Sequence, residues 1–241
     1  MPTLAYLSVL ILASWLLYYS IDSPYFAVRE ISVSGNKLLD AGQATEATRA
    51  SGQNVLRLRG DEIAQLVARM SEVRSARAVL ALPGRLDIEV TERTPLVQWQ
   101  AREGSFLVDR EGVAFSRQAP PSPVVVVKEP DGPAMDVGSR IEPNVLAAIE
   151  TLGLALPKQA GVQPPWFEYS QSTGIVVPAQ GGARIIFGDA SDLDAKIAAL
   201  AAVRAHLEAS KARAEKIDLR FKGRPVYVLA STTPVKSGQA R

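Results

Sequence analysis

The stretch "SARAVLALPGRLDIEVTER", residues 75–93, reads as two strands turning at Pro83-Gly84. Its second arm sets Leu86, Ile88 and Val90 against Asp87, Glu89 and Thr91, the period of two that a half-buried strand requires. Immediately upstream, "GDEIAQLVARMSEV" (60–73) places Ile63, Leu66, Val67 and Met70 at i, i+3, i+4 and i+7. That spacing makes one apolar helical stripe, and Asp61 and Glu62 sit at the positive end of its dipole. Residues 40–51, closed by Gly52, give a weaker helix with little apolar content. Further upstream, "FAVREISVSGN" (26–36) alternates Ile31 and Val33 with polar residues and ends in the turn pair Gly35-Asn36. The order is strand, helix, helix, strand, strand, an α+β unit placed at residues 23–95.

Before this unit, residues 4–21, "LAYLSVLILASWLLYYSI", are 18 residues without a charge. As a helix they span about 27 Å, close to a hydrocarbon core. A transmembrane anchor is therefore expected over residues 1–22, with Leu4, Leu7, Leu10, Leu12 and Leu16 facing lipid and Trp15, Tyr18 and Tyr19 in an interfacial belt. A cleaved signal peptide is the competing reading. It would need a basic n-region and a small-residue cleavage site, and neither is present. No basic residue precedes the segment, so charge does not orient it, and a missing cytoplasmic tail is expected.

Composition excludes several classes. The 241 residues carry 27 Lys and Arg against 25 Asp and Glu, a net charge of +2, which leaves no footprint for nucleic acid. With 47% hydrophobic and 22% charged residues the chain can bury a core. Without cysteine, neither disulfides nor thiolate chemistry are available.

After residue 95 the pattern is mainly strands with two helices. A hairpin brackets "VDREGV" (108–113), and "VVVV" (124–127), bounded by prolines, reads as a buried strand. A helix starts at Pro143, a suitable N1 residue, and carries Leu146, Ile149, Leu152 and Leu156. Residues 157–165 form a Pro/Gly linker. "WFEYS", "TGIVV" and "ARIIFG" give three strands, the last two turning at Gly181-Gly182. A helix over 193–208 aligns Leu193, Ile197, Leu200 and Leu207, and "IDLRF" and "PVYVLA" close the sheet as a pair around Gly223. Residues 96–230 thus form a mostly antiparallel β domain with two helices, and 231–241 a disordered tail.

Ser34 and Lys37 stand at the S-x-x-K spacing of acyl-serine wall enzymes, and Lys236-Ser237-Gly238 fits K-[ST]-G. That chemistry needs the serine at a helix start, whereas Ser34 ends a strand, and no S-D-N element lies between. His206 has no G-x-S-x-G partner, and Asp189, Asp192 and Asp194 lack the EF-hand pattern and read as residues that cap and bias a helix start. No nucleotide motif is present. The expectation is no enzyme, no cofactor, no metal and no small-molecule substrate.

The stretches "FAVREISVSGN", "SEVRSARAVLALPGRLDIEVTERTPLVQW" and "FLVDREGVAF" resemble the POTRA domain and following region of the bacterial cell-division proteins FtsQ and DivIB. "FGDASDLDAKIAALAAV" and "KIDLRFKGRPVYV" are similar to that family's last helix and final strand pair. The resemblance implies a noncatalytic bitopic scaffold in the cytoplasmic membrane at the septum, with a cytoplasmic N-terminus and an extracytoplasmic body. It implies as partners FtsB or DivIC, FtsL and other septal wall-synthesis proteins. Carried over by position, the partner-binding residues are Arg220, Phe221, Val226, Tyr227, Val228 and Leu229, with Pro225 tolerated at an edge. Against this, Tyr227 and Leu229 could be core, and Asp218 with Arg220 a solvated ion pair. POTRA units also serve outer-membrane assembly and secretion, which is the alternative function.

Overall fold

A chain whose apolar residues switch from a period of 3.6 to a period of two and back must alternate helices with sheet, and it does so in two separate units. The computed structural model describes residues 2–21, 23–179, 182–221 and 223–230. Contacts divide the chain into Met1–Thr94 and Pro95–Arg241.

The first unit opens with helix α1, Pro2–Ile21. Its described side chains, from Tyr6 to Leu16 and at Tyr18 and Tyr19, are exposed. Trp15 stacks on Tyr19 at 5.7 Å. The expected transmembrane anchor is not shown: among the described residues no helix is long and apolar enough to cross a membrane. Leu4 lies among the side chains outside the described residues.

Strand β1 (Glu30–Ser34), helices α2 (Ala41–Thr48) and α3 (Gly60–Ala68), and strands β2 (Val73–Ala81) and β3 (Arg85–Glu92) follow. The strands order as β1-β3-β2, with β1 parallel and β2 antiparallel to β3. Leu86, Ile88 and Val90 face inward and are buried with Ile63 and Val67 of α3 and Leu39, as their spacing requires. Asp40 caps α2 by accepting the Gln43 N–H at 2.9 Å. The S-x-x-K pair is tied into a turn. Ser34 Oγ donates to the Ile88 carbonyl at 3.3 Å, and the Glu92 carboxylate accepts the backbone N–H groups of Lys37, Leu38 and Leu39 at 2.7–3.0 Å. Gly35 has φ 83°, and a Cβ there would lie 2.1 Å from the Val90 carbonyl oxygen, so the turn admits only glycine. Lys236-Ser237-Gly238 lies outside the described residues.

The second unit is one nine-stranded sheet with two helices. Its elements are β4 (Val97–Ala101), β5 (Gly104–Val108), β6 (Ala114–Ser116), β7 (Val125–Glu129), α4 (Pro143–Ala155), β8 (Phe167–Ser170), β9 (Gly174–Pro178), β10 (Arg184–Gly188), α5 (Leu193–Ala209), β11 (Ala214–Asp218) and β12 (Val226–Leu229). The spatial order is β12-β11-β10-β9-β8-β7-β4-β5-β6. β4/β7, β7/β8 and β10/β11 pair in parallel and the others antiparallel. Two of the parallel steps explain the helices, because a parallel neighbour needs a crossover: α4 joins β7 to β8 and α5 joins β10 to β11. Trp99, Val127, Phe167 and Phe187 on the strands are fully buried in one core with Leu146, Ile149 and Leu152 of α4 and Ile197 and Leu200 of α5. Each such side chain contributes about 1.5–3 kcal/mol of burial.

Three local expectations are corrected. The linker does not begin at Pro157: Leu156–Ala160 continues α4 as a π-turn that buries Leu156 and Ala160, and the chain leaves it at Gly161. The apolar demand of Leu156 overrides the proline signal. Asp192 does not cap α5 through its side chain. Asp189 instead accepts from Lys196 Nζ at 2.8 Å and from Ser191 Oγ at 2.6 Å. Finally, β11 ends at Asp218, so Arg220 and Phe221 are not in the closing strand. Gly181 of the expected turn at 181–182 lies outside the described residues.

Candidate functional site

A β-sheet can add a strand only at an edge whose N–H and C=O groups are unpaired. The nine-stranded sheet has two edges, and they differ. At one, β6 is three residues long and entirely buried, and its outer side is occupied. Ala114 donates to the Ser139 carbonyl at 2.9 Å and accepts from Gly138 at 2.7 Å. At the other, β12 has among the described residues only β11 beside it, and Val226, Tyr227, Val228 and Leu229 are all exposed, by 37–52%.

Sequence determines this edge in stages. β11 is held by parallel pairing to β10, Ile185 opposite Ile217, and Ile217 is buried against the core. Past Asp218, the Leu219 N–H donates to the Ile186 carbonyl at 2.9 Å and its side chain is buried. The chain then turns through Gly223, at φ 69°, and returns antiparallel, with Asp218 opposite Val226, Ile217 opposite Tyr227 and Lys216 opposite Val228. The Ala230 N–H closes the pair on the Arg213 carbonyl at 2.8 Å. Alternation puts Tyr227 and Leu229 on the face that carries α5, and Val226 and Val228 on the opposite face. Tyr227 and Leu229 are therefore not core.

The expected site residues fall into two groups. Val226, Tyr227, Val228 and Leu229 form the open strand. Arg220 is a brace for it. Its guanidinium holds the buried Asp218 carboxylate by Nε at 3.0 Å and Nη2 at 2.8 Å, and its stem lies against Gly188, where a Cβ would come within 2.7 Å of Arg220 Cγ. The Asp218 side chain is only 9% exposed and that of Arg220 41%, so the pair is half-buried, where the alternative reading had it solvated. The Arg220 hydrogen bond, opposed by burial, holds the Asp218 carboxyl below the usual range. Phe221 is exposed in the turn between the strands.

Two features escaped the sequence reading. Residues 211–224 hold Lys211, Arg213, Lys216, Arg220, Lys222 and Arg224 against Glu215 and Asp218, a local basic excess hidden by the near-neutral total. Windowed charge counting would have found it. The second is His206 of α5, whose ring lies 6.4 Å from that of Tyr227. No local signal pairs residues so far apart in the chain. On the same face as Tyr227, a groove of about 710 Å³ runs beside β11, lined by Val162, Arg204, Leu207, Arg213 and Ile217. Among the described residues no group of three or more His, Asp or Glu side chains could hold a metal ion.

Residues 26–93 match the model described as POTRA domain, FtsQ-type, and residues 97–220 match that described as Cell division protein FtsQ/DivIB, C-terminal. The chain belongs to the FtsQ/DivIB family of cell division proteins. Similar FtsQ/DivIB proteins include the cell division proteins FtsQ of Chloroflexus aggregans and Chloroflexus aurantiacus. They are 24% and 26% identical over 196 residues, which is 80% of this chain and 72% of each of those proteins. The FtsQ of Mycobacterium leprae is 30% identical over 184 residues, 75% of this chain and 51% of that protein. The FtsQ/DivIB match stops at residue 220, so the open strand β12 lies just beyond it.

Proposed function

We propose that this FtsQ/DivIB protein is a noncatalytic, single-pass membrane scaffold of the division machinery, and that it captures an FtsB/DivIC-like partner by strand addition to β12. FtsL-like and other septal wall-synthesis proteins join through that partner. The observation that carries this reading is the open edge: four consecutive exposed residues on a strand with one neighbour, in a sheet whose other edge is closed. Main-chain hydrogen bonds would supply affinity, and the apolar side chains on both faces would supply specificity. The basic excess around the strand favours an acidic partner segment, so capture weakens as salt rises.

The anchor belongs to the same proposal. α1 carries no charged residue, and its described apolar side chains point outward on every side, an arrangement that water disfavours and a lipid core accepts. The N-terminus is cytoplasmic in this reading and the two folded units are extracytoplasmic, concentrated at the septum.

The test is Tyr227→Glu in the full-length protein. A carboxylate on the edge should weaken capture of the FtsB/DivIC-like partner at least tenfold while circular dichroism stays native. Unchanged capture by a folded variant would remove β12 from the interface.

A further inference from the structure

Resting on the anchor reading above, we infer that the end of the first unit nearest α1 is a lipid-binding surface, which seats on anionic phospholipid headgroups of the bilayer that α1 enters. Three segments meet there and are joined through their backbones. Ala27 bridges Asn54. The Gly84 carbonyl accepts the Arg29 N–H at 2.9 Å, and a Cβ on Gly84 would come within 2.2 Å of the Ala27 carbonyl oxygen. The Asn54 side chain donates to the Ser23 carbonyl at 3.4 Å. Each segment holds one large apolar side chain in water, two residues from its joint. These are Tyr25, Leu56 and Leu82, exposed by 63%, 45% and 66%. Exposed apolar side chains gathered in one place and rimmed by polar groups mark an interaction surface.

Charge and chain length identify the occupant. Residues 23–29, 49–57 and 82–85, which make up this end, hold Arg29, Arg49, Arg57 and Arg85 and no Asp or Glu. Arg85 is answered from outside the patch by Asp87 at 2.8 Å. Arg29, Arg49 and Arg57 are exposed, and Arg29 Nη2 donates to the Pro24 carbonyl at 3.0 Å, which keeps its guanidinium beside the turn that carries Tyr25. Tyr25 follows Ile21, the last residue of α1, by four positions, so it lies no more than about 15 Å from the end of that helix. With α1 in a bilayer, the patch therefore begins at the membrane surface. Aromatic pairs run from the helix into it: Trp15 stacks on Tyr19 at 5.7 Å, and Tyr25 packs edge-on against Phe26 at 5.2 Å. Aromatic rings at headgroup level and arginines against anionic lipid are the combination that an interfacial surface uses.

The absence of cysteine permits a single probe. Full-length protein with Ser51→Cys, an exposed position in the patch, is labelled with the fluorophore NBD. It is reconstituted in vesicles of phosphatidylcholine and phosphatidylglycerol that carry a nitroxide quencher on their headgroups. The control is Lys37→Cys, tied to the opposite end of β3, a strand of eight residues or about 25 Å. NBD at 51 should be quenched and NBD at 37 should not. Arg57→Gln in the Ser51→Cys protein should lower the ratio of quenched to unquenched probe about fivefold, the effect of one basic residue at an anionic surface. Leu56→Glu, or vesicles of phosphatidylcholine alone, should lower it at least as much. Leu56 and Arg57 are both exposed, so neither change opens the core. Protein that does not float with the vesicles overturns the anchor reading, and this inference with it. Protein that floats, but shows no quenching at 51 or equal quenching at 51 and 37, overturns the inference and leaves the anchor reading standing. Quenching at 51 that is indifferent to Leu56→Glu or to phosphatidylglycerol does the same, because a tether alone holds the unit near the bilayer without sensing either.

Discussion

Single carboxylates do three different jobs in this molecule, and each can be tested at its own residue. Glu92 accepts three consecutive backbone N–H groups, those of Lys37, Leu38 and Leu39, and so fixes the turn after β1. Glu92→Ala leaves those donors without their acceptor and should cost about 2 kcal/mol in urea unfolding, since hydrogen bonds to charged groups are worth about 1.5–3 kcal/mol. Asp218 is buried and answered by Arg220. Arg220→Ala should cost about 1–2 kcal/mol, reduced from the fully buried case because the guanidinium is partly in water. Because the Asp218 pKa is lowered from 3.8 in the fold, this pair's contribution is present above 3.8 and is lost as pH falls below it. Glu129 has the opposite sign. It lies buried at the end of β7, accepting the Trp99 indole N–H at 2.9 Å, and burial pushes its pKa up from 4.5. Its favourable contribution is full below pH 4.5 and is lost as pH rises through the folded value, so Glu129→Gln should be more stable than wild type at neutral pH. The gap should close as pH falls to 4.5.

At the scale of elements, the legible parts were those whose burial pattern is local. The arms of the β2/β3 hairpin, the stripe on α3 and the Pro143 start of α4 all follow from residues within one or two turns of each other. Leu152→Ala should cost about 2–5 kcal/mol, the ordinary penalty for a cavity in a closed core. What was misread depended on tertiary partners. Pro157 signals a break, but burial of Leu156 and Ala160 carries the helix one turn further. "IDLRF" alternates as a strand should, but Arg220 is taken by Asp218 and Gly188, and β11 ends three residues short of Phe221. Tyr227 and Leu229, assigned to a partner-binding strand with core as the competing reading, are exposed, and among the described residues no strand pairs beyond β12. Hydrophobicity alone does not distinguish an edge from a centre.

At the scale of the molecule, two units of different architecture share one chain, and the strand order of the larger is not sequential. The placing of β7 between β4 and β8 depends on parallel pairings that no local spacing encodes. Those pairings leave one edge closed by the 138–140 segment and the other open at residues 226–229. We propose this open edge as the place where a division partner docks. The most direct measurement is photocrosslinking in dividing cells, with benzoylphenylalanine placed in the full-length protein at Val226 or Val228, and at Ser116 of β6 as the closed-edge control. Crosslinks from Val226 and Val228 to an FtsB/DivIC-like protein, absent from Ser116, are the expected result. Equal crosslinking at both edges, or none at β12 in cells that divide normally, would contradict the claim.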